Sequence, residues 1–78
     1  MNQDTGPDAM HDNAATLRLA ALEAYAQGNL LTARQHFEAA LAEDPLNADI
    51  LADLASVTLQ SGAADLAHDY ACRALLLE

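Results

Sequence analysis

Seven residues of this chain return 34 positions later. Ala14, Leu17, Ala21, Gly28, Ala33, Ala40 and Leu41 recur as Ala48, Leu51, Ala55, Gly62, Ala67, Ala74 and Leu75. The matched residues are small, aliphatic or glycine, the types needed where helices approach closely or the chain turns. Tandem units of this length, each a pair of helices, form solenoids in which every pair buries its face on the next. The period therefore restricts the chain to a stack of like hairpins.

Local signals agree with that unit. Asn13 is suited to cap a helix that runs to about Gln27, where Gly28-Asn29 breaks it. Leu17, Ala20, Ala21 and Ala24 give this helix an inward stripe. A second helix is predicted from about Leu31 to Glu43, with Ala33, Phe37, Ala40 and Leu41 on one face. Asp44-Pro45 ends it, because proline disfavours helix in the residue before it and donates no hydrogen bond. Asn47 then caps a third helix, striped by Leu51, Leu54, Ala55 and Thr58 and interrupted at Ser61-Gly62. The fourth is predicted from about Ala64 to Leu77, with Ala67, Ala71, Ala74 and Leu75 inward. Alanine and leucine fill 33 of the 78 positions, which favours helix, and no run alternates long enough to make a convincing strand.

These residues resemble the tetratricopeptide repeat (TPR) family. The first copy carries Leu17, Ala20, Ala21, Gly28, Ala33, Phe37, Ala40 and Pro45, and the second Leu51, Leu54, Ala55, Gly62, Ala67, Ala74 and Leu75. The resemblance implies an all-α helical-repeat solenoid of two helix-turn-helix hairpins, four antiparallel helices in all. Residues 1–13 are then an acidic, disordered N-terminal tail, 14–47 the first repeat and 48–78 the second. The chain departs from the family pattern in having Leu17 and Leu51 at the large aromatic position, Ala21 and Ala55 where Gly is usual, and Ala71 opposite Phe37. It also stops one residue before the second repeat's expected Pro, with no capping helix.

Charge narrows the partners. Twelve acidic residues against three Arg and no Lys give a net charge of −9. Such a surface is repelled by phosphate backbones and by anionic lipid, which argues against nucleic-acid and membrane partners. A basic or apolar protein segment is the sensible partner. The first thirteen residues, MNQDTGPDAMHDN, lack the basic start and apolar core of a secretory signal, so a cytoplasmic location is expected. A single cysteine, Cys72, fits that compartment.

Nothing in the sequence has the form of a catalytic site. It holds no glycine-rich phosphate loop, no GxSxG and no HExxH. His68 and Cys72 are one helical turn apart but lack further ligands for a metal. The pairs Asp49/Asp53 and Asp65/Asp69 lie near predicted helix starts, where acids are favoured on structural grounds. No enzyme, cofactor or metal is expected.

In the TPR family the first helix of each repeat lines a concave groove that binds peptides or helices of partners. Carried over by position, the resemblance implies a groove of Ala15, Arg18, Leu22, Tyr25 and Ala26 from the first repeat. The second would add Asp49, Ala52, Ser56, Leu59 and Gln60, with Asp53 at the edge. Arg18, Leu22 and Tyr25 also lie at i, i+4 and i+7, off the inward stripe. A simpler role for Leu22 and Tyr25 is packing against the neighbouring helix. The subclass that clamps a C-terminal carboxylate is disfavoured, since the chain has no Lys, has Leu22 where an amide is needed, and has no third repeat. Tyr70, Leu76 and Leu77 are expected to form an apolar open end, which offers a homodimer contact through the last helix. The expected function is non-catalytic protein–protein interaction, as an N-terminal docking or scaffolding domain of a larger multi-domain protein. The alternatives are a complete small adaptor or chaperone, and the substrate-recruiting region of a glycosyltransferase or sulfotransferase.

Overall fold

The computed structural model of the chain describes residues 7–77, with side chains from residue 13 onward. It contains four helices: α1 (Pro7–Ala26), α2 (Leu30–Glu43), α3 (Ala48–Gln60) and α4 (Ala64–Leu76). Helix α1 packs on α2, α2 on α3, and α3 on α4. The described residues contain no strand, and the architecture is the all-α pair of hairpins that the period implies. The tail was expected to reach Asn13; residues 1–6 lie outside the described part, and α1 is helical from Pro7. Proline is favourable at the first helical position, where its missing N–H has no partner to lose. Pro7 therefore starts the helix seven residues earlier than an Asn13 cap would.

The two hairpin turns are the same structure built twice. Gly28 and Gly62 take φ of +80° and +88°, the left-handed region that a side chain opposes. In the first turn Gly28 N–H bonds to Tyr25 O at 3.0 Å and Asn29 N–H to Ala24 O at 2.9 Å. In the second, Gly62 N–H bonds to Leu59 O at 3.1 Å and Ala63 N–H to Thr58 O at 2.8 Å. This double closure is a Schellman motif, which satisfies the last carbonyls of the preceding helix. The next helix is capped differently in each case. Asn29 Oδ1 accepts from Thr32 N–H and caps α2, whereas Ala63 offers α4 no side-chain cap. Between the repeats, Asn47 Oδ1 accepts from Ile50 N–H at 3.1 Å and donates from Nδ2 to Asp44 Oδ2 at 3.0 Å.

The core is made of alanines around a few large side chains. Ala21, Ala33 and Ala40 are fully buried where α1 meets α2, and Phe37 fills the space between them and α3. Ile50, Leu51, Leu54 and Val57 give α3 a broad buried face. Thr58, fully buried, donates from Oγ1 to Leu54 O at 2.7 Å, so its hydroxyl is satisfied within the helix. In α4 the inward residues are Ala67, Tyr70 and Ala74. Ala71 and Leu75 were expected inward, but Ala71 is only half-buried and Leu75 is 70% exposed. The helix turns its tyrosine toward α3, because the ring has more apolar area to bury than Ala71 and none of the described residues packs on the far side.

Candidate functional site

Helices α1 and α3 open the two repeats and lie side by side, and two contacts join them across the repeat boundary. Arg18 donates from Nε to Asp53 Oδ2 at 2.6 Å. Gln60 donates from Nε2 to the Tyr25 hydroxyl two turns further along. Both contacts link residues 35 apart, so the helices run in register and the four side chains form a double clasp. The hydrogen bond to Asp53 raises the Arg18 pKa above its ordinary value against the cost of burial, with the charges of Asp53 and Asp49 adding to it.

Between the two clasps lies the groove floor. Leu22, Tyr25, Asp53 and Ser56 line a small cavity of about 70 Å³ with Phe37 and Val57. Asp49, in the first turn of α3, is exposed and makes no ion pair among the described residues. Of the eight residues expected to bind a partner, Arg18, Tyr25, Asp53 and Gln60 thus bond to one another. Leu22 is half-buried against the core, while Ser56 and Asp49 are exposed. Leu59 is 62% exposed and lies with α4 rather than in the groove, beside Ala55, Ala67 and Ala71.

A larger recess, about 380 Å³, continues from Arg18 toward the start of the two helices. Ala15, Leu19, Asp44, Asn47 and Ile50 are among its walls. Leu19, Asp44 and Asn47 were not foreseen as site residues. Leu19 lies outside the helical stripe, and Asp44 and Asn47 read in the sequence as punctuation between helices. The one available signal was a large apolar residue, Leu19, off the inward stripe; Asp44 and Asn47, 25 and 28 positions further on, carried none.

On the far side of the same α2/α3 loop, at the end of α4, Leu76 is 85% and Leu77 41% exposed, and they lie with Pro45 and Leu46 around a recess of about 190 Å³. Tyr70, grouped with them on sequence grounds, is 8% exposed and belongs to the core, with the Arg73 guanidinium 5.6 Å from its ring centre. His68 Nε2 and Cys72 Sγ stand 3.5 Å apart on the surface. Among the described residues no group of three or more His, Cys, Asp or Glu side chains could hold a metal ion. No helix among them is long and apolar enough to cross a membrane.

All three arginines are engaged in internal pairs: Arg18 with Asp53, Arg34 with Glu38 at 3.0 Å, and Arg73 with Asp69 at 4.0 Å. The charge left over is acidic. The groove itself carries Asp49 and Asp53 against the single Arg18, so it is net negative.

The family model of the tetratricopeptide repeat matches residues 24–75. The chain belongs to this family, whose repeats generally act as non-catalytic protein–protein interaction modules. No curated protein and no solved structure gives a significant match.

Proposed function

We propose that this chain is a docking module that receives a basic, partly apolar peptide or helix of another protein along the α1/α3 groove. The observation that carries the reading is Asp49. It is exposed at the head of a groove whose only arginine already bonds to Asp53, so the acid is open to a partner's cation. Leu22 and Ser56 supply the adjoining contact surface, and Leu19 extends it toward the larger recess. Arg18, Tyr25, Asp53 and Gln60 act from behind: they fix the distance between α1 and α3, so the groove is formed before the partner arrives. Such preorganisation lowers the ordering cost of binding. The exposed thiol of Cys72 suits a reducing compartment, in keeping with a cytoplasmic role.

The test is a titration of the chain with two peptides of equal apolar content, one lysine-rich and one glutamate-rich. The lysine-rich peptide is expected to bind better, and added salt to weaken it. Asp49→Lys is expected to reduce that binding by about fivefold or more, in line with a partly exposed charge contact. Chemical-shift changes confined to α2 and α4 would refute the groove, as would equal binding of both peptides.

A further inference from the structure

The surface by which the first repeat holds the second recurs, exposed, one period later. Helix α3 is seated on α1 and α2 at three of its positions. Asp53 accepts from Arg18, Val57 lies against Phe37 and Leu22, and Gln60 donates to Tyr25. Moving the receiving residues on by 34 gives Ala52 for Arg18, Leu59 for Tyr25 and Ala71 for Phe37. Likewise the fully buried Ala21 becomes the half-buried Ala55, and the half-buried Leu41 becomes Leu75 at 70% exposure. Of these residues Ala55, Leu59 and Ala71 line one recess between α3 and α4, with Ala52 and Leu75 exposed on the same two helices. Ala71 stands here in place of Phe37, and an open recess of about 310 Å³ lies over Ala55, Leu59, Ala67 and Ala71.

We propose that this end face seats an amphipathic α-helix of a second protein. The helix carries a basic residue, a bulky apolar residue four positions on, and an aliphatic residue three positions after that. Each requirement follows from one change in the seat. Where α3 offers Asp53 to Arg18, the incoming helix meets neutral Ala52, one turn from the exposed acid Asp49, so a cation replaces the carboxylate. Where α3 offers Val57 to Phe37, it meets the much smaller Ala71 over an open recess, so a bulkier Phe, Met or Leu is favoured there. Where α3 offers Gln60 to the Tyr25 hydroxyl, it meets Leu59, 62% exposed, which rewards an aliphatic contact. A second copy of the chain is a poor occupant. Its net charge of −9 is the same, and its one arginine with large apolar residues four and seven positions on, Arg18 with Leu22 and Tyr25, is already engaged with α3. The proposal rests on the interaction-module reading and shares Asp49 and Ser56 with the groove, but its apolar seat on Leu59, Ala71 and Leu75 lies outside it.

The test titrates the isotope-labelled full chain with two synthetic peptides. One has the sequence of residues 47–61, and the other has that sequence with Asp53→Lys, Val57→Phe and Gln60→Leu. The substituted peptide is expected to bind at least about tenfold more tightly, the usual scale for filling an apolar pocket. Its largest shifts are expected at Ala55, Leu59, Ala71 and Leu75. Ala71→Phe in the chain, which restores the first repeat's aromatic, should abolish the preference, and Leu75→Lys should weaken binding of the same peptide. Both sites face away from the core of their own hairpin, and circular dichroism checks that each variant folds. Neither variant should alter binding of the lysine-rich groove peptide, so the two surfaces fail or stand separately. Equal affinity for the two peptides overturns the proposal, as do shifts confined to Leu22 and Tyr25, absence of binding, or sedimentation as a dimer joined through Leu59 and Leu75.

Discussion

Alanine at 21 and alanine at 55 occupy the same place in their repeats and have opposite surroundings. Ala21 is wholly buried, since α1 there is covered by both α2 and the second repeat, while Ala55 is half-buried at the end of the stack. A larger side chain at the first site must displace packed neighbours, which costs about 1–3 kcal/mol. At the second, packed on one side and bordering a recess of about 310 Å³ on the other, it has room. Ala21→Leu is therefore expected to destabilise the chain by about 1–3 kcal/mol in urea unfolding, and Ala55→Leu to leave it within about 0.5 kcal/mol. Similar losses at both sites would mean that the end face is covered in solution. The spacing made both alanines visible in the sequence as contact positions. Which of them has a neighbour was not visible, because that depends on the residue 34 places further along. Leu75 was placed inward by the same repeat spacing, as if a third repeat covered it, whereas Tyr70 was assigned to the open end and is in fact the side chain α4 buries against α3.

Helix boundaries were legible wherever the backbone itself requires a particular residue. Gly28 and Gly62 mark both Schellman turns because only glycine takes their φ without strain, and Asp44-Pro45 marks the end of α2. The start of α1 was not, since Gly-Pro serves equally to break one helix and to begin another. The least supported boundary is the start of α4. Ala63 has φ −97° and ψ 68°, close to the φ −90° and ψ 80° of Asn29, yet it lacks the side-chain oxygen with which Asn29 caps α2. Ala63→Asn should supply that acceptor in a backbone already shaped for it. The expected gain is about 0.5–1 kcal/mol, read as a higher urea midpoint with an unchanged slope, with the last hairpin's amides exchanging more slowly. A neutral result would show that the orphan N–H groups of α4 are satisfied by solvent at no cost.

The repeats are joined into one molecule by the α2/α3 contact and by the two clasps between α1 and α3, and the clasps decide what the groove presents. Arg18 and Asp53 were each legible as groove residues from their place in the repeat, but their pairing was not. It needs α1 and α3 parallel and one residue out of phase with the 34-residue period, which only the packed structure provides. The ion pair is partly exposed, with side-chain accessibilities of 36% and 22%, so its worth is limited by screening to about 0.2–1 kcal/mol. Its larger effect is geometric. If the pair holds the helices at a fixed separation, a double-mutant cycle on Arg18→Ala and Asp53→Ala should give a coupling in that range, falling as salt rises. Each single variant should also loosen the groove, so that Asp49-dependent binding of the lysine-rich peptide weakens even in Arg18→Ala, which removes a positive charge. Simple electrostatics predicts the reverse for that variant, since an acidic groove stripped of its arginine attracts cations more strongly. The sign of the Arg18→Ala effect therefore separates a clasp that shapes the groove from a charge that merely sits in it.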